Sequence, residues 1–361
     1  MRFRTILSDS STSASVPRKT NLKITKILLS VFVFLSHMYI LAGVKFLSFM
    51  SFTDIEMRVQ SFFVISGFFL YLSYKKTTSV SDFLKRRMER LYPPYCAAIM
   101  FTLLIGLIWI SASQQKIDVI GILKYTIFNL LTLNFIAPNI PGLFTDNPIP
   151  AANGALWTMK VELSFCAAIP LLFFFSRWVG FFTLLISTYV ASSMYYIYMK
   201  HTYLLTGNSI YEVFSRQPPG QLRFLVAGIL FCVFIEKFRA MVWEVRLVVI
   251  LFSVGIVWFR EDLQVLYPPA LATIIFSLVF APYLSLPDKL PDISYGIYLY
   301  HFPIIQLSVA LGVAKSAPLV ATLSCAAATI FMALVSRRIE LTWWAPSNSR
   351  PTRQMVEKSD G

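Results

Sequence analysis

Runs of apolar residues, each about the length of a bilayer crossing, repeat along the whole chain between short polar or basic stretches. Windows long enough to cross lie near residues 24–47, 55–74, 92–111, 118–137, 155–175, 178–199, 222–236, 243–259, 265–284, 294–313 and 317–336. A hydrocarbon core about 30 Å thick takes ~20 apolar residues per helical span. The pattern therefore predicts an all-α, polytopic transmembrane helical bundle. No connecting loop is long enough for an appended soluble domain. The division expected is one transmembrane domain, residues 23–340, between cytoplasmic tails 1–22 and 341–361. The first tail is polar, Ser/Thr-rich and basic, and reads as disordered. The first apolar run is too long for a signal-peptide core and reads as an uncleaved span.

Composition agrees with this reading. Of the 361 residues 57% are hydrophobic and only 14% charged, with a mean hydropathy of +0.65; soluble domains carry roughly a quarter charged residues. The net charge of +14 is then a matter of membrane orientation and not of nucleic-acid binding. Eleven spans would place the termini on opposite sides. If 118–137 does not cross and the N-terminus is cytoplasmic, 22 of the 32 Lys and Arg residues fall on the cytoplasmic side. If it crosses, the basic stretches "EKFRAMVWEVR" and "SRRIE" land outside. The positive-inside rule thus favours about ten spans with both termini cytoplasmic. Lys124, Asn129 and Asn134 within 118–137 suit a segment lying against protein or interface. The four cysteines, all in apolar segments, read as small buried hydrophobes, not as a disulfide framework or a metal cage.

Against this apolar background a few ionisable side chains stand out. His37 is eleven residues past Lys26, about 16 Å along a helix. With Lys26 at the cytoplasmic edge, the imidazole sits near mid-membrane, where an ionisable group marks a functional site by default; the alternative is a neutral histidine bonded between helices. In "FLKRRMERLYPPY", residues 83–95, Ser81 and Asp82 start a short helix that Pro93 follows. Arg87 and Arg90 share one face, and planar guanidinium forks suit phosphate. Basic residues at a helix C-terminus also suit its dipole. Trp157 marks the interfacial belt, and Glu162 lies five residues deeper. Lys160 points the other way and is a poor partner, so another span or a wet cavity must satisfy that carboxylate. Tyr295, Tyr298 and His301 stack along one helix face. Pro303 frees the Leu299 carbonyl, and a kink there would open a cavity beside His301. Ser66-Gly67 reads mainly as close helix packing. His201 has no assigned role.

Taken in order, these segments resemble the acyltransferase 3 family of integral membrane proteins, the bacterial O-acetyltransferases of surface polysaccharides and related glycans. The resemblance rests on Lys26, ten residues, then His37; on "FFVISGF"; on Arg87-x-x-Arg90 followed by "LYPPY"; on "LWTMKVELSF"; and on "ISYGIYLYHFP". It covers nearly the whole chain and is of the stand-alone type. The chain departs from the family pattern at "NLKITK" before the first span and at Arg58-Val59, where Gly-Val is usual.

The resemblance implies transfer of an acetyl group from cytoplasmic acetyl-CoA to a sugar hydroxyl of a surface or lipid-linked glycan, in the bacterial inner membrane. Acetyl-CoA is then a donor substrate, with no permanently bound cofactor and no metal; the other partners are the glycan acceptor and membrane lipids. His37 would be the base or a transient acyl carrier, and Glu162 would orient a hydroxyl or an imidazolium. Lys26, Arg87 and Arg90 would hold the CoA phosphates, and Trp157, Tyr298 and His301 would line the acceptor side. Two other readings stand beside it: a secondary transporter or glycan exporter using buried His and Glu as a proton relay, and a non-catalytic member of a glycan-assembly complex.

Overall fold

The computed structural model describes residues 20–52, 54–282 and 291–343. Apart from their innermost residues, the expected tails at 1–22 and 341–361 lie outside the described residues. Thirteen α-helices are described, with no strand among these residues. They are α1 (Leu22–Ile40), α2 (Ile55–Lys75), α3 (Val80–Ala112), α4 (Val119–Leu130), α5 (Trp157–Val179), α6 (Phe181–Thr206), α7 (Ser209–Ser215), α8 (Pro218–Ala240), α9 (Trp243–Trp258), α10 (Tyr267–Val279), α11 (Ser294–Ala310), α12 (Val313–Ser316) and α13 (Pro318–Trp343). Short 3-10 turns at Lys45–Phe52 and Gly154–Leu156 precede α2 and α5. Six stretches, those containing α1, α2, α3, α5, α8 and α13, are long and apolar enough to cross a membrane.

Helix starts follow local polar chemistry. The side chains of Asp54, Ser79 and Asp118 accept from the backbone N–H groups of Glu56, Asp82 and Gly121, satisfying donors a helix leaves open in its first turn. At α3 the sequence expectation needs correcting. Ser79, not Ser81, is the cap, and the helix does not stop before Pro93 but runs through Pro93 and Pro94. The two prolines remove donors to the carbonyls of Glu89 and Arg90. Neighbouring contacts brace the break: the Tyr295 hydroxyl donates to the Leu91 carbonyl at 2.9 Å. At 33 residues α3 is about 50 Å long, so its charged first turns extend beyond an apolar core.

α4 has 12 residues, about 18 Å, well short of a crossing. Its end is docked on α3. The hydroxyls of Tyr92 and Tyr95 donate to the carbonyls of Leu130 and Asn129 at 2.8 and 2.5 Å. Asn129 is buried and donates in turn to the carbonyls of Tyr125 and Ala137.

Two helix pairs position the site. α2 and α8 approach so closely that a Cβ on Gly67 would lie 2.2 Å from the Leu225 carbonyl oxygen, and one on Gly228 2.2 Å from that of Val64. Only glycine permits that approach. α1 and α11 run parallel and in register. Lys26 pairs with Asp292, the Ser30 hydroxyl donates to the Ser294 carbonyl at 2.8 Å, and His37 meets His301. The bundle thus has a Lys26 end and, at the start of α2, an Arg58 end.

Candidate active site

The two histidines legible in apolar runs form a hydrogen-bonded pair. His301 Nε2 lies 2.9 Å from His37 Nδ1, with ring centroids 4.8 Å apart. His301 is fully buried and His37 half-buried. Backbone carbonyls favour one placement of the protons. His301 Nδ1 is 3.1 Å from the Ile297 carbonyl, and His37 Nδ1 is 3.1 Å from the Val33 carbonyl. A carbonyl only accepts, so both Nδ1 atoms carry hydrogen. In neutral rings this leaves each Nε2 bare, and the single His37 Nδ1–H is shared between the Val33 carbonyl and His301 Nε2. The proton of His37 being on Nδ1, its Nε2 presents a lone pair. The Phe302 ring packs edge-on against His37, 5.1 Å between centroids.

Pro303 lies inside α11, where His301 is fully buried. The carbonyl it frees, Leu299, accepts from the Asn153 side chain at 3.0 Å. Asn153 also accepts from the Ala155 N–H and so shapes the Gly154–Leu156 turn. A Cβ on Gly154 would lie 2.7 Å from the Phe302 ring, so the turn seats directly on α11. Asn147 and Gln306 bond each other nearby, clamping the loop ahead of α5 to the second half of α11.

Glu162 finds its partner on another span. The Ser66 hydroxyl donates to Glu162 Oε1 at 2.7 Å. Ser66 is thus more than the packing residue the sequence suggests, while Gly67 beside it packs as expected. Arg87 and Arg90 both act electrostatically on this carboxylate. They lie in the third and fourth turns of a 33-residue helix, not at its C-terminus, so the dipole gives no reason for their placement. Arg87 is half-buried over the Phe83 ring, 5.7 Å from its centroid, and Arg90 is exposed. Lys160 turns away from Glu162, as its spacing implies, and sits 4.0 Å from the centroid of Phe135.

The tyrosines join the two halves. The Tyr298 ring is 6.0 Å from His301, its hydroxyl donates to the Ala155 carbonyl at 3.4 Å, and the charge of Glu162 reaches it. Trp157 packs edge-on against Phe63 at 6.0 Å. A ring contact joins Tyr298 to His301 and a hydrogen bond joins His301 to His37; Glu162 with Arg87 and Arg90 on one side, and Arg58 on the other, lie within electrostatic range of this series. Lys26 is engaged differently: it pairs with Asp292, which the Ser294 hydroxyl and N–H also hold. Burial opposes ionisation of Asp292, yet the Lys26 ammonium and these hydrogen bonds keep it below the usual carboxylate range.

Sequence reasoning missed Ser66, Arg58, Asn153 and Asp292 as contributors. Ser66 and Arg58 carried a signal, being polar positions in a long apolar run. Asn153 and Asp292 sit in loops, where polar residues are ordinary.

A family model described as an acyltransferase domain matches residues 20–337. Nodulation protein 10 of Rhizobium leguminosarum bv. viciae is 25% identical over 285 residues, which cover 70% of this chain and 73% of that protein. No solved structure matches the chain.

Proposed function

The chain belongs to the acyltransferase 3 family, and from that premise we propose that it is an integral membrane O-acetyltransferase using acetyl-CoA as donor and a glycan hydroxyl as acceptor. The observation that carries the reading is the His37–His301 pair, with a bare His37 Nε2 on a half-buried ring. A sugar hydroxyl is a weak nucleophile and needs a positioned base. His37 Nε2 takes the hydroxyl proton as the oxygen attacks the thioester carbonyl. The imidazolium so formed is steadied by His301 Nε2, which accepts from Nδ1–H, the role an orienting acceptor plays in a nucleophile–base–orienter triad. The tetrahedral intermediate collapses with cleavage of the C–S bond, and the thiolate leaves with the proton from His37 Nε2. The products are the acetyl ester and free CoA.

The remaining residues fit this scheme by position. Arg87 and Arg90, at the Lys26 end, supply guanidinium groups for CoA phosphates. Lys26 contributes to that end through Asp292, as a brace between α1 and α11, and not as a free cation. Glu162 holds the inner mouth between the arginines and Tyr298. Trp157 and Tyr298 lie toward the acceptor side. With the Lys26 end cytoplasmic and ten helices crossing, donor and acceptor approach His37 from opposite faces of the inner membrane.

Washed membranes supplied with radiolabelled acetyl-CoA test the reading. Acetyl label appearing on glycan, with O-acetyl signals lost from surface glycan when the gene is deleted, is the expected result. Gradient-driven solute uptake with no acyl transfer would replace the enzyme with a transporter.

A further inference from the structure

A second cationic feature lies at the Arg58 end, away from the arginines assigned to the donor. A cleft of about 320 Å³ opens between the end of α1, the Lys45–Phe52 turn, the start of α2 and the loop after α9. It is lined by Ser36, Tyr39, Ser51, Asp54, Arg58 and Arg260, among others. Its size falls at the small end of ligand pockets, ~300–1,000 Å³, suited to a sugar unit and not to a whole cofactor.

Its charge is specific. Two guanidinium groups face one carboxylate, so the cleft carries a net positive charge. Asp54 is committed on both sides: Oδ1 accepts from the Glu56 N–H, and Oδ2 is 3.9 Å from Arg260 Nη2. Arg58 is buried, with Nη2 donating to the Met50 carbonyl at 3.0 Å. A buried arginine is costly to keep in an apolar end of a bundle. Arg58 lines the cleft, and it does so together with Ser36, the residue next to His37, within electrostatic range of that ring. Ser36 and Tyr39 place the cleft wall within the same turn of α1 as His37.

We infer that this cleft is the acceptor subsite and that it takes an anionic group, a carboxylate or a phosphate, on the glycan whose hydroxyl is presented to His37. The inference rests on the acyltransferase reading for the role of His37, but the binding it describes does not require transfer to occur. Serine and tyrosine oxygens around the anion site offer partners to sugar hydroxyls, and the two forks supply charge-assisted bonds that a neutral sugar cannot use.

The test is equilibrium binding to the purified full-length protein in nanodiscs, read by tryptophan fluorescence; Trp258, two residues before Arg260, lies tilted against Phe52, the neighbour of Ser51, with centroids 5.0 Å apart. Three probes are titrated: methyl glucoside, methyl glucuronide and glucose 1-phosphate. At least one charged probe is expected to bind about tenfold more tightly than the neutral one, and which of the two wins identifies the carboxylate or the phosphate. That preference is expected to fall to about threefold or less in Arg58→Gln and in Arg260→Gln. Should Arg58→Gln not fold, Arg260→Gln decides alone. Equal binding of all three probes, no binding of any, or a charge preference intact in the folded variants would overturn the inference. A preserved charge preference in a protein that moves no acetyl group would instead remove the transferase reading and leave this subsite standing.

Discussion

At the residue scale the decisive contact is one nitrogen against another, 264 positions apart in sequence. Two carbonyls, those of Val33 and Ile297, each lie 3.1 Å from an Nδ1 and favour the hydrogen there, and the proposed chemistry builds on that placement. In the proposed mechanism His301 acts by positioning His37. His301→Phe keeps a ring and removes the acceptor, and is expected to lower kcat about 10²–10⁴-fold with the KM for acetyl-CoA unchanged. His301→Gln, whose side-chain oxygen can accept from Nδ1–H, is expected to restore part of the loss. Equal turnover in wild type and His301→Phe would remove the positioning role. His37 and Glu162 were legible in the sequence because ionisable groups inside apolar runs are rare. His301 was legible for the same reason, but the pairings were not: a contact between α1 and α11, or between α2 and α5, leaves no local trace.

At the element scale, two features set how the helices sit. The α2–α8 crossing depends on Gly67 and Gly228. Gly228→Ala places a methyl against the Val64 carbonyl and is expected to destabilise by about 1–3 kcal/mol. Gly255→Ala, in α9 with nothing within 4 Å of the new carbon, is expected to be neutral or to stabilise by up to about 1 kcal/mol. Thermal unfolding in detergent compares them, and the reverse order would refute the close-packing argument. The α1–α11 register depends in part on Lys26–Asp292. Asp292 is held below its ordinary range, so its contribution is present above the unfolded carboxylate pKa of about 3.9. It is lost as pH falls through the lower folded value. Asp292→Asn is expected to lower stability by about 1 kcal/mol at neutral pH, and the gap to wild type is expected to close in acid. A gap that persists unchanged below pH ~3 would contradict the linkage. The helical pattern itself was plain from the spacing of apolar runs. The Pro93-Pro94 pair misled because a stop signal read locally was overridden by packing of the residues beyond it.

At the scale of the whole molecule, the apolar pattern anticipated an all-helical chain with membrane-length helices, and charge bias favours a 118–137 that does not cross. The 12-residue α4, docked on α3 through Tyr92 and Tyr95, agrees with that. Cysteines placed at Lys116 and Asn139, both exposed positions flanking α4, in a Cys96→Ser background, are expected to react with an impermeant maleimide from the same face. Labelling from opposite faces would make α4 a span and reverse the sidedness of every later helix. What sequence spacing did not reveal is which charged groups come near one another. These groups come from α1, α2, α3, α5 and α11, and they are neighbours only once the helices are assembled.

The central claim is that His37 Nε2 removes the acceptor's proton, and the most direct measurement is acetyl transfer from labelled acetyl-CoA by purified full-length His37→Ala beside wild type. Both proteins are first shown by size-exclusion chromatography to be equally folded. The account predicts turnover reduced at least about 10²-fold while acetyl-CoA still binds. Turnover equal to wild type in that variant would contradict it.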